Sequence, residues 1–593
     1  MGRRWGKALM MCTLLLAGIN CVHGAGIEWR DWDKDLFDRA KQEHRFVLLD
    51  LGAVWCHWCH VMEETTYRDP AVMALIQSRY LPVRVDQDAN PELSNRYEDY
   101  GWPATVVFAP DGTEIVKRRG YIPPERFAAL LKAIIDDPTP GPSVSEEQPV
   151  EAAQSHALTA EARKEILDDY LALYDRQYGG WGTEQKYIDG DSMEFALLKA
   201  GTGDKQYRQI ARQTLDAAQA LIDPVWGGVY QYSIGPTWND PHFEKIMSFQ
   251  SQYLQHYSLA HALWHEPRDL KAAQLIYHYL RDFLRAPEGA FYVSQDADVS
   301  MELTGKTFYA LNDAERRAHP QPPIDRHIYA RENGWASHAL VTYAAATGDS
   351  EALSLAENAA RWVLAHRQLP DGGFSHGELT AATPPQLGDT LYMARAFLDL
   401  YAATGERDWL MQSRKAMDFI ERAFRAEDGG FLTAPVTTDA VGVFRNGVRQ
   451  IDENVAVART TNLLFHYTGE QRYQNMARHA MRYLTAPGVI AKRRLLPGLL
   501  LADHELSEAP LHITIVGGKS DAVAQSLYEA ARRWPVVYKQ LEWWDRDEGP
   551  LPNPDVQYPK LPKTAVFVCT NNNCSLPMYS TEVLYKRLAI TGN

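Results

Sequence analysis

Residues 47–59 read Val47-Leu48-Leu49-Asp50-Leu51-Gly52-Ala53-Val54-Trp55-Cys56-His57-Trp58-Cys59. The apolar run Phe46–Gly52, interrupted only by Asp50, fits a buried strand, and the residues after it form a tight turn. The C-x-x-C pair then falls where a helical pattern begins and runs to Tyr67. Unpaired N–H groups at a helix N-terminus stabilise negative sulfur, so the placement suits a thiolate nucleophile. Cys56 is expected to be exposed and attacking, with Cys59, one turn inward, resolving the mixed disulfide. His57 brings a positive charge or a donor beside Cys56, lowering its pKa and making the pair more oxidising, and Trp58 is expected to cover the other side. An inert disulfide or half of a metal site are the competing readings of C-x-x-C.

Outward from this stretch, Leu81–Asp86 and Thr105–Phe108 read as two more strands, making residues 26–136 a small α/β unit. Residues 137–156 (DPTPGPSVSEEQPVEAAQS and its flank) concentrate Pro, Ser and Glu, a linker composition. Residues 157–488 carry long amphipathic helical patterns separated by a recurrent turn: Gly179-Gly180-Trp181, Gly227-Gly228-Val229, Gly289-Ala290-Phe291, Gly372-Gly373-Phe374 and Gly429-Gly430-Phe431. Helical hairpins ended this way predict a closed toroid, with an open helical array as the alternative. Residues 489–593 return to alternating strand and helix patterns, a compact α/β end domain.

The total of 593 residues exceeds what one hydrophobic core serves, which agrees with this division. With 61 Lys+Arg against 76 Asp+Glu, the net charge is −15, which argues against a polyanion-binding surface. Arg3, Arg4 and Lys7 precede an apolar run from Ala8 to Ile19, so residues 1–24 read as a secretory signal, with an uncleaved anchor as the alternative. Of the 6 cysteines, Cys12 and Cys21 leave with that signal. The two close pairs left, Cys56/Cys59 and Cys569/Cys574, sit in a compartment where disulfides persist, and a periplasmic or secreted location is expected.

The stretch WCHWCHVME, followed by RVDQD and GWPATVVFAPDG, resembles the thioredoxin-like domain of the spermatogenesis-associated protein 20 and YyaL-type family. That resemblance implies that Asp50 is the buried acid assisting proton transfer and that Pro103 is a cis-proline packing against the disulfide, with Trp102 presenting backbone to a substrate. It continues through YDRQYGGWGTEQKY (174–187), PHFEK (241–245), FYVSQDAD (291–298) and ENGWASHAL (332–340), nearly the whole chain. It implies a second domain similar to six-hairpin (α/α)6 sugar-processing toroids, N-acylglucosamine epimerases and glycosidases among them. Two departures are visible: the region around Lys186 lacks a Pro-Lys-Phe-Pro form, and Glu332-Asn333-Gly334 stands for Trp-Asn-Gly. The family also has a similar C-x4-C near its end.

Candidate toroid groups are His242 and Glu244 at a helix start, where Glu is also favoured by the helix dipole. Asp296 and Asp298, two apart, share a face if extended and form a carboxylate pair of the kind glycoside hydrolysis uses. His242 and His376 are candidate epimerisation bases. Trp238 and Trp335, with Trp181, Tyr230, Tyr232, Phe291 and Tyr292, offer stacking faces for a sugar or packing for the ring's centre. Cys569 and Cys574 read as a local clip or as a redox partner of Cys56/Cys59.

The expected fold is therefore multidomain: an N-terminal thioredoxin fold, a central all-α (α/α)6 toroid and a small C-terminal α/β domain. The expected activity is thiol-disulfide exchange with protein thiols or disulfides, with Cys56, Cys59, Asp50, His57 and Pro103 at the site and a glycan or polypeptide on the toroid. A carbohydrate-active enzyme with an accessory thioredoxin-like domain, and a non-catalytic binding protein, are the alternatives. No cofactor, resident metal or nucleic-acid partner is expected.

Overall fold

The computed structural model describes residues 26–144, 150–379, 384–570 and 573–591, so the signal reading over 1–24 lies outside the described residues. Strand β1 (Phe46–Gly52) is buried on both faces, as its apolar run requires. Val47, Leu49 and Leu51 pack on one face with helices α1 (Leu36–Glu43) and α4 (Pro91–Tyr97). Leu48 packs on the other with α2 (His57–Thr65), α3 (Pro70–Arg79) and α5 (Pro124–Asp136). Because side chains alternate along a strand, Asp50 shares the face of Leu48 and lies beneath α2. Strand β2 (Tyr80–Asp86) pairs parallel with β1, and β3 (Ala104–Phe108) and β4 (Glu114–Arg119) follow antiparallel, in the order β2-β1-β3-β4. This is a thioredoxin-like sheet.

The helices that follow close into a ring. Inner helices Gly190–Gly201, Met247–Trp264, Ala330–Thr347, Leu387–Thr404, Ile451–Thr468 and Pro497–Ser507 touch in succession, and the last returns to the first. Each packs on an outer helix: Lys205–Ala218, Pro267–Tyr279, Ser350–His366, Arg407–Ala423, Gln471–Leu484 and, for the sixth, Ala160–Leu173. The ring thus ends at Ser507, a correction to the boundary read at residue 488. The basic, proline-containing stretch before Pro497 masks a short helix whose Leu499, Leu500 and Leu501 are buried in the ring. Residues 150–156, the end of the stretch read as linker, are strapped to the ring: Ala153 and Arg482 exchange hydrogen bonds, and just beyond them Leu158 N–H donates to Asp503 at 3.1 Å.

The recurrent glycine motif follows an outer helix each time and makes a β-bridge back to that helix's end. In four of the five motifs a polar residue at the fourth position of the next inner helix clamps the motif's backbone. Gln250 holds Val229, Asn333 holds Phe291, Thr390 receives Phe374 N–H and Asn454 holds Phe431. Gly227 and Gly228 sit at positive φ (75° and 77°) where a Cβ would lie 2.0 Å from Leu275 O and 2.6 Å from the Tyr279 ring, so neither admits a side chain.

The flanking domains seat on opposite ends of the ring. The thioredoxin-like domain sits at the N-terminal ends of the inner helices, where Phe444 of the 441–446 loop enters its core, 5.2 Å from Trp32 and 5.7 Å from Phe108 between ring centroids. Arg96 donates to the carbonyls of Val443 and Asn446, and Asn95 donates to Thr433 at 2.5 Å. The end domain caps the C-terminal ends, with Lys519 donating to Gly405 O and Tyr528 to Ala402 O. Its strands Lys539–Trp544, Leu511–Val516, Ala565–Thr570 and Asn573–Cys574 repeat the order and directions of β2-β1-β3-β4. At the turn corresponding to C-x-x-C this second sheet has Gly517-Gly518-Lys519-Ser520, without cysteine. Among the described residues, no helix is long and apolar enough to cross a membrane.

Candidate functional site

Cys56 caps α2, its sulfur accepting from Cys59 N–H at 3.2 Å, and the two cysteines form a disulfide. The Trp102–Pro103 peptide is cis, and Trp102 packs against the small buried cluster that contains Cys56. Asp50 lies buried, bonded by Arg84 Nε at 3.0 Å; burial pushes its carboxyl up while Arg84 works against the rise. A buried acid beneath the helix is thus present where the resemblance implied it.

The seating on the toroid corrects the expected exposure. Cys56 is only 4% exposed, in a buried cluster it shares with Ile246 of the toroid and against which Phe249 packs, and Cys59 keeps more surface than Cys56. Trp58 is 42% exposed and leans on Tyr121, so it does not cover the disulfide. The covering surface is supplied instead by another domain, 190 residues away in sequence or more.

That surface is acidic. Asp298 Oδ2 lies 2.5 Å from His57 Nδ1, and Asp296 Oδ2 lies 3.7 Å from His60 Nδ1. Asp298 also accepts from Gly305 N–H at 2.6 Å and donates its own N–H to Asp296 Oδ1 at 3.1 Å, which locks the loop. Glu244 is buried behind them with Oε2 3.7 Å from His242, whose ring stacks on Tyr232. The sequence-read pair Asp296/Asp298 and Glu244 are therefore brought together against C-x-x-C, and not at the ring's centre.

The hydrogen bond from Asp298 raises the His57 pKa, and burial raises Asp296 to about 6. Burial also raises Asp86 and Asp88 at the same seam, Asp325 of the toroid adding to Asp86 and Glu332 to Asp88. Each of these groups holds its proton more tightly in the folded, seated protein than free in water, so its contribution is full below the free pKa and is lost as pH rises through the raised one. Seating is expected to weaken from about pH 4 to about pH 8. The measurement is amide hydrogen exchange at 54–60 and 292–299 after correction for intrinsic rates; flat protection across that range contradicts it.

Other candidates fall elsewhere. Trp238 is packing: its Nε1 donates to Tyr178 O and its ring lies against Gly180. His376 is buried with both ring nitrogens engaged, Nδ1 by Asp389 and Nε2 by Asp88 O, on a different loop from His242. Trp335 does line a central cavity of about 350 Å³, with Tyr392, Asp191, Glu194, His256, His338, Arg395 and Arg459. There burial raises Asp191 to about 7 and lowers His256 to about 4, while Arg459 holds Glu194 down to about 2 against its burial. These residues lie within helices, where polar side chains in an amphipathic pattern do not stand out as the polar loops do. The available signal was polar residues at buried positions of inner helices, such as Glu194 in a run otherwise reading Met193-Phe195-Ala196-Leu197.

Cys569 and Cys574 are cross-strand partners in a hairpin of the end domain and form their own disulfide. The two disulfides belong to opposite ends of a ring whose longest inner helices, of 18 residues, span about 27 Å, so the pairs do not meet in this arrangement and the intramolecular relay read from sequence has no contact to run through.

Residues 21–136 match the family described as Thioredox_DsbH, "Protein of unknown function, DUF255". Human spermatogenesis-associated protein 20 is 23% identical over 711 aligned positions, covering 95% of this chain and 90% of that protein. The match to the mouse protein is 27% identical and covers 46% of this chain and 39% of the relative's length, so that alignment spans about two-fifths of it. Over 83 positions, 14% of each chain, the sequence is 39% identical to thiol:disulfide interchange protein DsbD 2 of Pseudomonas aeruginosa. Among solved structures, a D-mannose isomerase aligns with TM-score 0.45 and 11% identity over 58% of this chain and 96% of that one. The chain is a homologue of spermatogenesis-associated protein 20, with a thioredoxin-like N-terminal domain that matches DUF255.

Proposed function

We propose that the protein is a secreted, periplasmic thiol-disulfide oxidoreductase whose exchange site is Cys56–Cys59. The observation that carries the reading is the disulfide at the cap of α2 with Asp50 buried below it. The local likeness to a thiol:disulfide interchange protein supports it. In the oxidised form a substrate thiolate attacks Cys56 Sγ, the Cys56–Cys59 bond breaks, and Cys59 leaves as a thiolate that takes a proton. A second substrate thiol, deprotonated, then displaces Cys56, so the substrate dithiol becomes a disulfide and the C-x-x-C pair is reduced by two electrons. Asp50 manages the proton of the inner sulfur, and Pro103 shapes the substrate groove. Protein partners reach Cys56 when the thioredoxin-like domain opens from the ring.

The test is equilibration of the full mature chain with glutathione and with a reduced protein substrate. Cys56→Ser is expected to lower exchange at least a thousandfold, about 4 kcal/mol of transition-state stabilisation. Exchange at the wild-type rate in that variant rejects the reading.

A second reading is favoured by the central cavity. Its volume of about 350 Å³, aromatic wall of Trp335 and Tyr392, and mixed donors and acceptors suit a small polar ligand, with a glycan unit the leading candidate. Turnover or binding of such a ligand that survives Cys56→Ser and Cys59→Ser but fails with Asp191→Asn separates it from the first reading.

A further inference from the structure

We infer that the exchange site is completed in trans by the toroid: Asp298 is a positioning residue that holds His57 as an imidazolium beside Cys56. The inference rests on the thiol-disulfide reading above and extends it to a residue of a different domain.

His57 directly follows Cys56 at the first turn of α2, so its ring is the side-chain cation nearest in sequence to the attacked sulfur. Its Nδ1 is 2.5 Å from Asp298 Oδ2. Asp298 does not get there by chance of a flexible side chain. Its other oxygen is fixed by Gly305 N–H at 2.6 Å, and Gly305 itself packs so tightly that a Cβ would lie 2.5 Å from Ala297 O. The carboxylate is 7% exposed, and its pair with His57 bridges the two domains. A buried carboxylate held by one backbone donor has its remaining lone pairs aimed at whatever can be charged, and here that is His57.

The groups facing His57 are Asp298, Asp296 and Glu244 from the toroid and His60 from its own helix. Three carboxylates against two imidazoles leave His57 favoured in its charged form, a shift upward led by the Asp298 bond. An imidazolium next to Cys56 stabilises the Cys56 thiolate released when the second substrate thiol displaces it, and Asp298 reaches the sulfur's surroundings only through that ring. Seating the thioredoxin-like domain on the toroid and charging His57 are thus one event.

The experiment uses the full chain, reduced, with Cys59→Ala to isolate one thiol, and measures the pH dependence of Cys56 alkylation by iodoacetamide together with the His57 imidazole titration by NMR. Asp298→Asn is expected to lower the His57 pKa and raise the Cys56 thiolate pKa by about one unit, a tenfold loss of thiolate below it. His57→Phe is expected to raise the thiolate pKa similarly, and adding Asp298→Asn to it to change nothing further. Asp298→Glu is expected to restore part of the shift. An unmoved Cys56 thiolate pKa or an unmoved His57 titration in Asp298→Asn overturns the inference, as does an Asp298→Asn effect that persists undiminished without His57. These outcomes are distinct from failure of the thiol-disulfide reading itself, which shows as unchanged exchange in Cys56→Ser.

Discussion

Phe444→Ala is expected to release the thioredoxin-like domain from the ring and to raise exchange with folded protein substrates about thirtyfold, leaving exchange with small thiols nearly unchanged. Phe444 belongs to the toroid yet sits among Trp32, Phe37 and Phe108, with ring centroids 5.2, 5.8 and 5.7 Å away, and Arg96 lies 4.9 Å over its face. Truncating a fully buried phenylalanine costs about 3–5 kcal/mol; this one is half-buried, so about 2 kcal/mol is expected, which is the thirtyfold. The loss falls on the seated state, because the ring leaves a core it enters only when the domains meet. Cys56, 4% exposed when seated, would then be open to a bulky partner. Rates with a reduced protein and with glutathione, compared between wild type and variant, decide the matter. If the protein-substrate rate does not move, the seating is not what limits access.

The second large effect concerns Asp223. It is fully buried and accepts from Lys245 at 2.8 Å and Arg316 at 2.7 Å, both also fully buried. Asp223→Asn leaves two cations without a counter-charge, and breaking a buried pair from one side costs about 3–5 kcal/mol. The damage is expected to reach the proposed exchange site, since Lys245 lies between Glu244 and Ile246, which shares the buried cluster of Cys56. Burial already lowers Lys245 to about 8, with Asp223 working against the fall. Without Asp223 the amine is expected to lose its proton in the folded state at lower pH still. For a lysine with depressed folded pKa, stability is lost as pH falls from the unfolded value through the folded one, so the variant regains stability as pH rises. Urea midpoints at pH 7 and pH 9 are the measurement: a large deficit at the lower pH that shrinks at the higher is expected, and an equal deficit at both contradicts the account.

The elements that sequence made legible are those in which local chemistry and tertiary context agree. The β1–turn–α2 stretch was readable because an apolar run, a tight turn and cysteines at a helix cap each admit few alternatives. The Gly-Gly-aromatic turns were readable as helix ends, although what they end on, a bridge clamped by Gln250, Asn333 or Asn454, lies 21 to 42 residues further along. The sixth inner helix was missed because eleven residues preceded by a basic stretch give too few turns for a clear period.

The exchange site divides the same way. Cys56, Cys59, Asp50 and Pro103 follow from a single contiguous fold unit, in which β1 pairs with both β2 and β3. The meeting of Asp298 with His57 spans 241 residues and depends on how two domains seat, which no spacing rule encodes. The carboxylates at 296 and 298 were noticed as a pair, but a two-residue spacing fixes only that they share an edge, not which cavity or domain they face.

By itself the sequence determined the three-part fold, the close cysteine pair and its place on a helix cap, because those rest on short-range patterns of burial and hydrogen bonding. The tertiary structure alone decided that the reactive pair is covered, that acidic side chains from the toroid complete its surroundings, and that the second disulfide stands at the far end of the ring. Those outcomes come from packing between surfaces distant in the chain, where shape and desolvation, rather than local propensity, select the contact.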